Sequence, residues 1–316
     1  MNKQKINDCI VLYNPVSTSF KKDSIEKISR ILKTYNINPE FEESRYEGHL
    51  INLIKSADKE NRLLVTLGGD GTVSEAYRAL NDISQQGIYA HIPTGTTNDM
   101  AKNYNVKYKD ADLILKDILD GEIKFVDSFK INNEIVAYIS LFGYLSHVPY
   151  ATNPKLKKNL GHLGYVIRGL YDMAKNPIPS KFNVSYETDN LKGNETCILG
   201  AISNSVGFAG IDLYRDVKLD DGKIELLLIK ELSPSLIASV AKDYFKNDIN
   251  LAKYKEHIVT DKSSKIKLTF EGDKFPKFPF NNDGEKSNIL PTYKDNEVTI
   301  EIAKPIKVMK KQKNVD

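Results

Sequence analysis

Leu63-Leu64-Val65-Thr66-Leu67-Gly68-Gly69-Asp70-Gly71-Thr72-Val73-Ser74-Glu75-Ala76 is the stretch whose reading decides the fold. A run rich in β-formers ends in three glycines around one aspartate, and Ala76, Tyr77, Ala79 and Leu80 then take up helical spacing. The pattern predicts a strand, a glycine turn and a helix. Glycines at such a junction allow positive φ and remove the Cβ atoms that hold a ligand away from the backbone. The helix that follows presents unpaired N–H groups and its positive dipole end, a setting for phosphate. A carboxylate beside a phosphate repels it unless a divalent cation lies between them or the carboxylate takes a proton, and magnesium nucleotide is the economical reading. A lone Gly-Asp-Gly also fits an ordinary capped turn; the third glycine and Thr72 favour phosphate.

Working outward, Cys9 to Tyr13 reads as a buried strand running into the small polar loop Asn14-Pro15-Val16-Ser17-Thr18. Helices are expected through Ile25, Ile28, Ile31, Leu32 and Tyr35, through Leu50 to Ala57, and over about 110–119, with a short strand near Asn38 to Glu42. After the strand Ile88 to Ile92 comes Pro93-Thr94-Gly95-Thr96-Thr97-Asn98-Asp99, a loop dense in hydroxyls with an amide and a carboxylate. Helix capping needs only one of these side chains. This alternation implies parallel strands with helices on both faces, and such sheets bind ligands outside the carboxyl ends of their strands. All three loops fall at such ends.

Beyond Phe125-Val126-Asp127 the pattern turns β-rich, with strands expected at Ile131 to Leu141, Phe182 to Tyr186, Thr196 to Ser203, Ile224 to Ile229, Ile266 to Phe270 and Val298 to Ile302. Two domains are expected, 1–128 and 129–302, with the tail 303–316 free to return to the first. The length of 316 residues is enough for two cores, since single cores stop growing near ~250–300 residues.

Composition narrows the function classes. The chain is 41% hydrophobic and 28% charged, that of a globular protein. No apolar run approaches the ~20 residues that span a bilayer, so a cytoplasmic location is expected. A net charge of +3, without aromatics interleaved in a basic stripe, gives no nucleic-acid signature. The five histidines form no zinc spacing, and Cys9 and Cys197 read as inert core residues. Segment 153–181 carries Lys155, Lys157, Lys158, Arg168, Lys175 and Lys181 against the single acid Asp172, interleaved with apolar residues. That mixture suits first an amphipathic helix packed on a sheet with a solvated basic face, on which attraction to an anionic membrane surface can be superimposed.

Together these motifs resemble the diacylglycerol kinase catalytic domain family in its small bacterial form, related to sphingosine kinases. Gly68 to Thr72 is shared with NAD kinases and phosphofructokinases. Pro93 to Asp99 is more specific, and Asp221-Gly222 and Asp283-Gly284-Glu285 follow in the family's order. The resemblance implies an N-terminal nucleotide-binding α/β domain like that of NAD kinase, a C-terminal β-sandwich lipid-substrate domain, and ATP in the cleft between them. It places nucleotide contacts at Asn14, Pro15, Val16, Ser17, Thr18, Ser44, Gly69, Asp70, Gly71, Thr72, Val73, Ser74, Glu75 and Thr96. Asp70, Asp99 and Asp127 would form a water and magnesium network, with Asp70 also catalytic. Glu285 would accept the proton, and Asp221 with the carbonyls of Lys218 and Lys223 would hold a second, structural magnesium. Two positions depart from the family: Thr18 stands where glycine is usual, and Ser44 replaces threonine but keeps the hydroxyl. The expected reaction is γ-phosphoryl transfer from ATP to a membrane lipid hydroxyl, diacylglycerol foremost, at the inner membrane surface, with homodimerisation left open. The rival readings are NAD-kinase-like phosphorylation of a soluble acceptor and a non-catalytic module that binds nucleotide and lipid.

Overall fold

A computed structural model describes residues 6–17, 20–95, 98–104, 106, 110–153, 155–156, 162–175, 178–208, 211–212, 217–246 and 249–311. The chain divides into two compact units, 1–128 with 304–316, and 129–303.

In the first unit β1 (Asp8–Tyr13), α1 (Lys22–Thr34), β2 (Asn38–Glu43), α2 (His49–Ala57), β3 (Arg62–Gly68), α3 (Asp70–Asp82), β4 (Ile88–Pro93), α4 (Asp99–Asn103), α5 (Ala111–Leu119) and β5 (Glu122–Val126) follow in order. The sheet order is β2-β1-β3-β4 and then the C-terminal strand Ile306–Lys310, which pairs parallel with β4 and antiparallel with β5 at the edge. All seven residues of β3 are buried, which accounts for its unbroken apolar run: a central parallel strand is covered on both faces. Cys9, Val11, Leu63, Val65 and Leu67 face Ile28 and Leu32 of α1 and Ile114, Leu115 and Ile118 of α5. The alternate strand residues face the other way, the side on which α2 and α3 pack together. Tyr35 does not join the apolar face of α1; it follows the helix, and its hydroxyl donates to Asp120 at 2.9 Å.

The second unit comprises β6 (Phe129–Ile131), β7 (Glu134–Val136), β8 (Ile139–Gly143), α6 (Val148–Ala151), α7 (His162–Lys175), β9 (Phe182–Glu187), β10 (Lys192–Ser203), β11 (Gly207–Phe208), β12 (Ile211–Asp212), β13 (Ile224–Lys230), α8 (Pro234–Phe245), β14 (Ile258–Ser263), β15 (Lys265–Glu271), β16 (Asn281–Asn282), β17 (Glu285–Lys286) and β18 (Glu297–Ile302). The C-terminal strand of the first unit is β19 (Ile306–Lys310). The expected single strand Ile131 to Leu141 is three strands, because Asn132 at φ 52° turns β6 back on β7. Pairing is antiparallel throughout this unit.

β10 organises the sheet. Residues 192–197 pair with β9, residues 199–203 pair with β8, and its other edge pairs with β13. The register shifts between Cys197 and Leu199, a bulge that lets one sheet divide around a single core. Gly143 and Gly200 make the division possible. A Cβ on Gly200 would lie 2.0 Å from the Phe142 ring, and one on Gly143, at φ +96°, would lie 2.5 Å from the Ile198 carbonyl oxygen. Phe142 can therefore lie across β10, stacked on Phe280 at 4.6 Å and edge-on to Phe270.

Candidate active site

Three loops meet at the carboxyl ends of β1, β3 and β4. In the first, Asn14 N–H donates to the Leu67 carbonyl at 3.1 Å, and the Asn14 side chain accepts from Val16 N–H at 3.0 Å. This Asx turn leaves Val16 85% exposed. Ser17 Oγ lies 2.8 Å from Thr94 Oγ1, tying the first loop to the third. Thr18 and Thr96 lie outside the described residues.

The second loop uses glycine for closeness rather than for handedness. None of Gly68, Gly69 and Gly71 has positive φ, contrary to the expectation from sequence. A Cβ on Gly68 would lie 2.0 Å from Thr72 Oγ1, so the Thr72 side chain folds back over that glycine. A Cβ on Gly95 would lie 2.4 Å from Gly69 Cα: two backbones from different loops touch with no side chain between them. Thr94 N–H donates to the Gly68 carbonyl at 2.7 Å at the same junction. Gly71 faces open space. The third loop is clamped by Asn98, at φ 52°, whose amide group accepts from Gly95 N–H at 3.0 Å and donates to its carbonyl at 2.8 Å.

Asp70 is the first residue of α3 and half-buried, and its Oδ1 accepts from Met100 N–H at 3.0 Å. It therefore bonds the amide next to Asp99 in the first turn of another helix. Asp99 and Asp127 are 7% and 8% exposed. Among the described residues no three His, Cys, Asp or Glu side chains converge on one point to bind a metal directly. A shallow depression open to solvent is lined by Leu12, Tyr13, Asn14, Ser44, Leu50, Thr72 and Glu75. It unites Asn14, Ser44, Thr72 and Glu75, which are far apart in sequence. Ser44 is placed by its N–H on the Tyr13 carbonyl at 2.9 Å, and Glu75 accepts from Gly48 N–H at 3.3 Å. Val73 and Ser74 are buried, with 0% and 2% exposure, so their side chains point into the unit.

Beneath these loops is a polar core. Thr66 Oγ1 lies 2.8 Å from the Tyr89 hydroxyl and 2.9 Å from His91 Nδ1, and the Tyr77 and Tyr104 hydroxyls are 2.8 Å apart. Burial lowers the His91 imidazole to about 3, so it is neutral at physiological pH. Burial likewise raises the Cys9 thiol well above its ordinary range and the Cys197 thiol to about 12, in keeping with inert core cysteines.

In the second unit, Asp283 and Gly284 both have positive φ, 54° and 91°, between β16 and β17. This is the two-residue turn that suits a twisted hairpin. Glu285 is the next residue and is exposed. The hairpin is fixed by Asp283, whose carboxylate accepts from the N–H groups of Ala137 (2.8 Å), Tyr138 (3.0 Å) and Ile139 (3.2 Å). Asn282 adds bonds to Ser140 and Glu134. Asp283 reads locally as a turn residue, and no local signal reveals its long-range partners; the clamp by Asn98 is equally hidden. At the other aspartate turn, Asp221 Oδ2 lies 2.8 Å from Lys262 Nζ, and its Oδ1 accepts from Lys223 N–H at 3.2 Å. Lys262 also lies 3.3 Å from Glu225, which burial raises to about 7 against the pull of that lysine. Lys218 and Lys223 are exposed.

Of the basic segment 153–181, part lies outside the described residues. The Asp172 carboxylate of α7 is bonded by Arg168 of the same helix at 2.8 Å and by His147, which precedes α6, at 3.0 Å, while Ile167, Tyr171 and Ile178 are 46%, 54% and 80% exposed near Lys175. No described helix is long and apolar enough to cross a membrane.

Residues 8–131 match the family model described as the diacylglycerol kinase catalytic domain. A diacylglycerol kinase of Bacillus subtilis is 27% identical over 295 residues, covering 89% of this chain and 90% of that one. One of Staphylococcus epidermidis is 25% identical, covering 89% and 86%. A solved structure of a diacylglycerol kinase from Bacillus anthracis, 19% identical, superposes over 98% of both chains with a TM-score of 0.73, a likeness of fold. The α/β unit and the antiparallel unit thus share the fold of that solved structure. The match to the diacylglycerol kinase catalytic domain lies in the first unit and its junction with the second, while the relatives that align over most of the chain are named diacylglycerol kinases.

Proposed function

We propose that the protein transfers the γ-phosphoryl group of ATP to the hydroxyl of a membrane lipid, diacylglycerol foremost, giving phosphatidic acid. The observation that carries this is the contact of Gly69 with Gly95, which brings two loops together beside the open face at Gly71 and the N-terminus of α3. Backbone N–H groups there suit phosphate oxygens. Asn14, Ser44, Thr72 and Glu75, around a shallow depression beside these loops, offer polar groups for the rest of the nucleotide. The match of residues 8–131 to the diacylglycerol kinase catalytic domain and the relatives named diacylglycerol kinase support the acceptor.

Asp70, with Asp99 and Asp127, fits a magnesium ion held mostly through water and nucleotide. Magnesium keeps several waters and commonly takes one or two carboxylates plus substrate phosphates, so three directly converging acids are not required. Bound there, the ion would neutralise phosphate charge as it shifts. Asp70 is anchored for this by Met100 N–H. Glu285, on a hairpin immobilised by Asp283, takes the proton of the acceptor hydroxyl, a role that typically contributes ~10²–10⁴-fold. The exposed Ile167, Tyr171 and Ile178 with Lys175 would rest against an anionic membrane from the cytoplasmic side, each basic residue adding about 1 kcal/mol of attraction.

Transfer of labelled γ-phosphate to diacylglycerol in anionic micelles, with magnesium, tests the reading. Labelled phosphatidic acid is expected from the unaltered protein, and a loss of about 10²-fold or more from Glu285→Gln with nucleotide binding retained. Label on NAD or another soluble acceptor alone would overturn the lipid assignment. Bound ATP without any transfer would overturn the kinase.

A further inference from the structure

Glu225 of β13 is 6% exposed. Strand register sets it opposite Ser203 of β10 on one side and Lys262 of β14 on the other. Directly opposed residues in antiparallel strands stand on one face, so these three side chains form a group. Glu225 Oε1 lies 3.3 Å from Lys262 Nζ, whereas Glu225 Oε2 and Ser203 Oγ are buried without hydrogen-bond partners. The same ammonium lies 2.8 Å from Asp221 Oδ2, and Asp221 Oδ1 holds the Lys223 amide. Both oxygens of the turn aspartate are therefore in use, one of them by a cation that belongs to the chain.

The resemblance places a structural magnesium at this turn. The donor set does not fit it. Magnesium demands about six oxygens in near-octahedral array at ~2.1 Å, and an ammonium already bound to the same carboxylate would repel it. Admitting the metal would require Lys262 to withdraw, stranding Glu225 with a buried, uncompensated carboxylate. We infer that the Lys262 ammonium is the cation of the Asp221 turn in this chain, serving Asp221 and Glu225 together, and that no divalent metal resides there. Glu225 supplies the reason: a second, buried acid beside the turn needs a positive charge that reaches inward, and a lysine on the neighbouring strand provides it permanently. This inference concerns the second unit's fold and stands or falls apart from the proposed phosphate transfer.

The test is thermal unfolding of the full chain without nucleotide, in chelator and in millimolar magnesium or calcium. The unaltered protein is expected to unfold at the same temperature in all three. Lys262→Met should unfold about 5 °C or more lower and regain part of that loss with added divalent cation, because two carboxylates then face each other without a counter-charge. Lys262→Arg should stay close to the unaltered protein. A chelator-induced drop in the unaltered protein that Asp221→Asn abolishes would overturn the inference, and that measurement does not depend on any Lys262 variant folding. A drop that survives Asp221→Asn belongs to another metal site and upholds it.

Discussion

The chain contains three functional-looking Asp-Gly pairs, and the structure puts the same dipeptide to three uses. Asp70-Gly71 in the first unit opens a helix with no positive φ, and its carboxylate reaches across to the first turn of a neighbouring helix. Asp283-Gly284 in the second unit forms a tight turn at φ 54° and 91°, and its carboxylate binds three backbone N–H groups of another strand segment. At Asp221-Gly222 only the glycine has positive φ, 67°, and the aspartate pairs with Lys262. What separates Asp70, proposed to act on phosphate, from the two structural acids is therefore the partner set. Asp283 spends its charge on the fold so that Glu285, two positions on, is held still.

The largest break in that comparison comes from exchanging the roles. Asp70→Asn should lower phosphate transfer by about 10²-fold or more while leaving the unfolding temperature nearly unchanged, since the asparagine amide oxygen still accepts from Met100 N–H. Asp283→Ala removes the acceptor of three buried amides and should destabilise by about 3 kcal/mol or more, read as a lower urea midpoint, with transfer lost alongside stability. Equal stability losses in the two variants would erase the distinction.

A smaller test separates glycines that touch from glycines that do not. Gly95→Ala forces backbone from backbone and should cost about 1–3 kcal/mol, with nucleotide affinity reduced at least several-fold. Gly71→Ala meets open space and should fold normally, so any loss there would appear in nucleotide binding alone.

The smallest effect concerns the polar core under the loops. His91 has a folded value near 3, below the ~6.5 of an unfolded histidine. Its contribution to stability is complete above about pH 6.5 and is lost as pH falls toward 3, because the unfolded chain takes the proton first. Urea midpoints between pH 7 and pH 4 should fall less steeply in His91→Leu than in the unaltered protein. An identical slope would show that His91 titrates in the folded state as freely as in the unfolded one.

The sequence by itself determined the alternation of strand and helix in the first unit, because β3 is fully covered and its apolar run is legible without partners. It likewise marked the three loops, since glycine, proline and hydroxyl-rich punctuation has local causes. It carried the β character of the second unit but not its division, as the split of Ile131 to Leu141 into three strands depends on Asn132 taking positive φ beneath Thr299, whose N–H its side chain binds at 2.9 Å. Only the tertiary structure decided that Gly69 rests on Gly95, that Asn14, Ser44, Thr72 and Glu75 share one depression, that β19 inserts between β4 and β5, and which acids are spent on the fold. Each of these is a contact between residues distant along the chain, set by sheet register and close packing, and neither leaves a mark in the local pattern of residues.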